Sequence, residues 1–238
     1  MKQIQLAERI IFALDVESPQ VAKEWVQRLE SHIKFYKVGL QLFLAGWFPI
    51  VEWIASRNHK VMVDLKFFDI PETVKLAMMQ LRGRGITFAT VHGHDPILRA
   101  AAAAKDEVKL LAVTVLTSFG QEDMEEIFGG AMSLADLVYR RARRALALGC
   151  DGVVSSGLEV PRLRRGLGDR FLMVTPGIRP GSNREVDLDD QKRIVTAGRA
   201  IANGADHIVV GRPISTASDP LRAVEAMQKE IVESLPRE

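Results

Sequence analysis

Short apolar runs rich in β-branched residues recur along the chain, each followed by a stretch with apolar positions at i, i+3 and i+4. The runs predict strands over residues 10–15, 34–38, 60–66, 86–92, 109–115, 152–155, 171–175 and 207–210. The intervening pattern predicts helices, among them 21–29, 74–81, 134–148 and 194–203. Several strands are entered through a glycine or aspartate after the preceding helix: Arg84-Gly85, Gly149-Cys150-Asp151 and Gly204-Ala205-Asp206. Strands alternating with helices require crossovers, and therefore a parallel sheet. Eight such units, with no break in composition and no long linker, predict an α/β chain folded as a single domain over residues 1–238. The architecture expected is a closed (β/α)8 barrel, the TIM barrel. A doubly wound sheet is the alternative, because one strand more or fewer changes the count.

Composition narrows this picture only a little. A hydrophobic content of 47% is enough to build a large core and argues against disorder. Lys and Arg number 32 against 30 Asp and Glu, which removes any global electrostatic case for nucleic acid or an anionic membrane. The lone Cys150 excludes an internal disulfide and suits a reducing compartment. The first residues lack an apolar leader, and no stretch approaches the length of a membrane span. A soluble, cytoplasmic protein is expected.

Polar residues collect where the predicted strands end. The first strand ends at Asp15, the second carries Lys37 ahead of Gly39, and the third carries Asp64 and Lys66. The fourth ends at His92-Gly93-His94 and the fifth at Thr117-Ser118. The seventh ends at Thr175-Pro176-Gly177-Ile178-Arg179 and the eighth at Gly211-Arg212-Pro213. In barrels of this kind the C-terminal face carries the chemistry. Alternation along the third strand puts Asp64 and Lys66 on the barrel axis and Val61, Val63 and Leu65 toward the helices. Asp69 follows at once in the turn before Pro71, a residue suited to a first helical position. Three charges within six residues beside an apolar strand are costly unless they pair. A structural ion pair at a strand end is the plain reading of that cluster; a catalytic one is the other.

The segment Asp64-Leu65-Lys66-Phe67-Phe68-Asp69-Ile70-Pro71-Glu72-Thr73 resembles that of the bacterial orotidine 5′-phosphate decarboxylases. Asp15, Lys37, Thr117-Ser118, the Thr175–Arg179 segment, Asp190-Gln191 and Gly211-Arg212-Pro213 stand in the same order as in that family, nearly the length of the chain. The resemblance implies an alternating catalytic array of Lys37, Asp64, Lys66 and Asp69. It assigns Asp15 and Lys37 to the ribose hydroxyls and Thr117 to the pyrimidine, and Arg179, Gln191, Gly211 and Arg212 to the 5′-phosphate. Ile70 and Pro176 join the substrate-binding set. It further implies a homodimer with shared sites, in which Asp69 and Thr73 complete the neighbour's site. No cofactor and no metal are implied.

The residues suit such a reaction. Loss of CO2 from an sp2 carbon with no adjacent electron sink leaves a vinyl carbanion, usually handled by a Schiff base, pyridoxal, thiamine or a metal. No signature for any of these is present, so fixed charge and a proton must come from the protein. An ammonium at Lys66 does both. Two other functions stay open: a related barrel enzyme using Asp-x-Lys-x-x-Asp with a divalent metal on a sugar-phosphate keto acid, and a nucleotide-phosphate binding module in which the lysine–aspartate set is structural. His92 and His94 have metal-ligand spacing, but no carboxylate set of matching quality accompanies them. Arg140, Arg141, Arg143 and Arg144 read as the solvated face of a helix. Trp25, Trp47 and Trp53 read as packing residues.

Overall fold

The computed structural model describes residues 2–128, 132–181 and 193–235. Its strands are β1 (Ile10–Ala13), β2 (Phe35–Gly39), β3 (Lys60–Phe67), β4 (Phe88–Val91), β5 (Lys109–Val113), β6 (Gly152–Val154), β7 (Leu172–Thr175) and β8 (His207–Val210). All pairings are parallel, and β1 joins both β2 and β8, so the sheet closes into the predicted (β/α)8 barrel. Closure follows from seven crossovers of one hand around a twisted sheet that brings β8 beside β1, and it excludes the doubly wound alternative.

Alternation along the strands produces two apolar layers. Ile11, Phe35, Met62, Phe88, Leu111, Val113, Val154 and Val174 fill the barrel axis. Their neighbours in sequence, such as Ile10, Phe12, Tyr36, Val61 and Val63, point outward into the larger core beneath the helices. Val61 and Val63 thus face as their spacing predicts.

The N-terminal face of the barrel is built for stability. Gly149, with φ 95°, ends the helix Leu134–Ala147, and the Cys150 N–H donates back to the Ala145 carbonyl at 3.1 Å. Two residues on, Asp151 accepts from the Leu110 N–H at 2.8 Å and from Lys105 Nζ at 2.7 Å. Gly204 and Asp206 repeat the device. Asp206 Oδ2 accepts from the Met173 N–H, Lys2 Nζ and Arg164 Nη2, each at 2.9 Å. The Gly-x-Asp pattern therefore ends a helix and pins the start of the neighbouring strand.

His207 sits on this face at the start of β8, its ring edge-on to Phe35 and Phe88 at centroid distances of 5.5 and 5.4 Å. Its Nδ1–H donates to the Glu8 carbonyl at 2.8 Å. Burial disfavours the imidazolium and pushes its pKa from 6.5 to about 4. The unfolded chain therefore binds this proton before the folded one does, and stability falls as pH drops from 6.5 toward about 4. The expected loss by the lower end is about 3 kcal/mol. Denaturant titrations across this range should show the slope in the natural chain and a flatter profile in His207→Leu. An unchanged slope in the variant assigns it to another group.

One packing expectation fails. Trp25 packs at a tilt against Phe12 with ring centroids 5.4 Å apart, and Trp53 carries Lys23 and Arg57 over its ring, as packing residues would. Trp47 instead is 59% exposed at a break within the helix Leu40–Ser56, with φ 47° and ψ −148°. Pro49 removes an N–H and disfavours helical geometry before it, so the helix kinks and turns this indole outward.

Candidate active site

A cavity of about 350 Å3 opens at the C-terminal ends of the strands. Asp15, Lys37, Asp64, Lys66, Thr117, Pro176, Arg179, Gly211 and Arg212 all line it, together with Ser118 and Ser155. Nine of the residues singled out in the sequence thus converge from six strands, although they are scattered along the chain.

β3 brings the charges together by breaking its own regularity. Val63 pairs with Ala89 but Phe67 pairs with Val91, so four steps on β3 match two on β4. Within that bulge Lys66 takes φ 48°, a left-handed conformation unusual for a residue with a side chain. Such strain persists only where the surroundings over-determine it. Here the Lys66 N–H donates to Thr90 Oγ1 at 2.9 Å, and the Thr90 hydroxyl donates to Asp64 Oδ1 at 2.8 Å. Thr90 was not among the residues singled out in the sequence. Its parity with Phe88, which faces the axis, is the signal that could have found it.

The side chains form a chain of alternating sign. Lys66 Nζ lies 3.0 Å from Asp64 Oδ1, Lys37 Nζ lies 3.5 Å from Asp64 Oδ2, and Lys37 Nζ lies 3.1 Å from Asp15 Oδ1. Gly39 leaves room for this: a Cβ there would stand 3.1 Å from Lys37 Nζ and 3.3 Å from Asp15 Oδ1. Burial alone would raise Asp64, but Lys37, Lys66 and the hydrogen bonds from Lys66 and Thr90 outweigh it and hold the carboxyl below its usual range. Burial would likewise lower Lys37, and Asp64 and Asp15 outweigh it, so this ammonium is held above its usual pKa. Both groups therefore stay charged through neutral pH. Lys66 is the more open of the two lysines, its side chain 36% exposed against 10% for Lys37.

Three expected site residues lie elsewhere. Asp69, Ile70 and Thr73 are exposed and do not line this cavity. Asp69 Oδ1 accepts from the Ile70 N–H at 2.6 Å, while Phe68 and Ile70 beside it are 66% and 67% exposed. Gln191 lies outside the described residues. Arg179 is anchored at the base of that segment, where its N–H donates to the Val195 carbonyl at 2.9 Å and Val195 returns a bond to Gly177 at 3.1 Å.

His92 and His94 line a second, wider cavity of about 700 Å3, with Phe68 and the arginines of the helix Leu134–Ala147. Burial, then Arg141 and Lys66, lower the pKa of His92. Among the described residues no group of three His, Cys, Asp or Glu side chains could hold a metal ion. The arginine helix is not simply a solvated face, since Arg141 is half-buried and its Nη1 donates to the Thr114 carbonyl at 2.8 Å.

A closed (β/α)8 barrel with alternating carboxylates and ammoniums at its C-terminal mouth has the architecture of a barrel enzyme, with its charged groups on the face where such enzymes carry their chemistry. The sequence narrows that class: residues 8–227 match the profile of the orotidine 5′-phosphate decarboxylase / HUMPS family, and the chain belongs to it. The orotidine 5′-phosphate decarboxylase of Methylococcus capsulatus is 53% identical over 231 residues, covering 97% of this chain and 94% of that protein. That of Stenotrophomonas maltophilia is 46% identical over 231 residues, covering 96% and 94%. The crystal structure of the Lactobacillus acidophilus enzyme of the same name superposes with a TM-score of 0.81 at 35% identity, covering 94% of this chain and 99% of that one.

Proposed function

We propose that this chain converts orotidine 5′-monophosphate to UMP and CO2 in de novo pyrimidine biosynthesis, in the cytoplasm and with no cofactor. The observation that carries the reading is the Lys66 ammonium held 3.0 Å from a buried carboxylate, on a strained bulge, at the mouth of a barrel of this family. The ion pair with Asp64 holds the Lys66 ammonium in place beside the carbon that loses CO2. As the carbanion develops, Lys66 stabilises it and then delivers a proton to it. Asp64 next to the departing carboxylate also disfavours the ground state by like-charge repulsion.

Asp15 and Lys37 hold the ribose hydroxyls, Thr117 and Pro176 flank the base, and Arg179, Gln191, Gly211 and Arg212 hold the phosphate. The chain works as a homodimer in which Asp69, Ile70 and Thr73 enter the neighbour's site. Their exposure, and that of Phe68 beside them, support this: a carboxylate that does not line its own cavity is free to serve another. Among the described residues no helix is long and apolar enough to cross a membrane.

Mixing the protein with orotidine 5′-monophosphate and following loss of its ultraviolet absorbance tests the activity directly. Exhaustive chelation should leave the rate unchanged, because Lys66 supplies the cation. A rate that dies in chelator and returns with magnesium transfers the chain to metal-dependent chemistry. Arg212→Ala should weaken the phosphorylated substrate by roughly 2–4 kcal/mol, the loss of a charged contact, and spare the slow reaction of the unphosphorylated nucleoside. Equal damage to both substrates places Arg212 in the scaffold.

A further inference from the structure

The backbone that carries Thr117 is held from outside the cavity by a buried guanidinium. β5 last pairs with β6 at Val113, opposite Val154, and the chain then runs on through Thr114, Val115 and Leu116 to Thr117. Arg193 Nη2 donates to the Val115 carbonyl at 3.1 Å and to the Leu116 carbonyl at 2.8 Å. Its Nη1 donates to Glu159 Oε1 at 2.7 Å, just past the end of β6. Arg193 is 6% exposed and Glu159 9%. A guanidinium so buried is costly, and Nε has no hydrogen-bond partner among the described residues, but the planar fork places one arm on a carboxylate and the other on two carbonyls.

We propose that Arg193 is a positioning residue for the proposed reaction: by holding the Val115 and Leu116 carbonyls it fixes the angle at which Thr117 meets the pyrimidine ring. The Leu116 carbonyl and the Thr117 N–H share one rigid peptide plane, so holding the oxygen sets the direction in which Thr117 leaves the strand. Glu159 acts behind Arg193, keeping the fork aimed. Neither residue lines the catalytic cavity. The inference rests on the reading of Thr117 as a base contact.

Calorimetric titration with UMP and with ribose 5-phosphate, which lacks the base, separates positioning from general damage. Arg193→Lys keeps a charge for Glu159 but replaces the fork with a single compact ammonium. It should weaken UMP about tenfold, the equivalent of one hydrogen bond, and leave ribose 5-phosphate unchanged. Thr117→Ala should show the same split, and the double variant should bind UMP no worse than the weaker single one, because both changes remove one contact. Glu159→Gln, which still accepts from Nη1, should keep UMP affinity.

Losses that add in the double variant, equal weakening of ribose 5-phosphate, or a Glu159→Gln loss as large as that of Arg193→Lys each overturn the proposal. A Thr117→Ala variant that binds UMP normally removes the base-contact reading itself, and the positioning role falls with it. Should Arg193→Lys fail to fold, Arg193→Gln combined with Glu159→Gln removes both buried charges together and carries the same expectation.

Discussion

Lys66→Ala is expected to lose essentially all turnover while still binding UMP. In the proposed mechanism the ammonium acts where negative charge develops, so its removal should raise the barrier without removing the contacts that hold the nucleotide. The residues proposed to make those contacts line the cavity from other strands: Thr117 after β5, Pro176 and Arg179 after β7, and Gly211 and Arg212 after β8. Lys37 remains 3.5 Å from Asp64 in the variant's parent geometry, so the carboxylate keeps one cation and the site need not collapse. A positioned acid contributes about 10²–10⁴-fold, and Lys66 adds electrostatic stabilisation to that. Single-turnover measurements beside UMP titrations read the two effects apart. Retention of more than about a hundredth of the natural kcat rules out Lys66 as the proton donor.

Lys66→Ala and Asp69→Ala, each expected to be inactive alone, should rescue one another when their subunits exchange. Lys66 lines the cavity of its own barrel, whereas Asp69 is exposed past the strand end and bonds only its neighbouring Ile70 N–H among the contacts described. If Asp69 completes a partner's site, one site of a mixed dimer carries both defects and the other carries neither. Random equal mixing makes about half the dimers mixed, with one of two sites intact, so activity returns to about a quarter of the natural level. Demonstrated subunit exchange with no recovery places Asp69 in its own chain's site and ends the shared-site reading. Recovery also depends on mixing ratio in a defined way, with the maximum at equal amounts.

The conformation of Lys66 connects both predictions to the fold. Asp64 and Lys66 are two apart, and simple alternation already puts them on one face. In the structure they do meet, but through a bulge that β4 stabilises with the Thr90 hydroxyl. The pairing is therefore not a property of the strand alone. Thr90 links the backbone of Lys66 to the carboxylate that pairs with its side chain.

The sequence by itself determined an α/β chain of eight parallel strands, with a closed barrel expected and a doubly wound sheet still allowed, and the outward direction of Val61 and Val63, because periodicity and strand order are local signals. It also marked the strand ends where Asp15, Lys37, Asp64, Lys66, Thr117, Arg179 and Arg212 would gather, since polar residues at one end of apolar strands have a single face to occupy. Only the tertiary structure decided the rest. The left-handed Lys66 and its Thr90 partner depend on a mismatch between β3 and β4 that neither strand encodes alone. Arg141 reads as a solvated charge in the sequence and Arg193 carries no signal there, yet both fold back onto the carbonyls that follow β5. Such contacts join residues tens of positions apart, and a free energy that appears only when distant segments meet leaves no periodic trace in the chain.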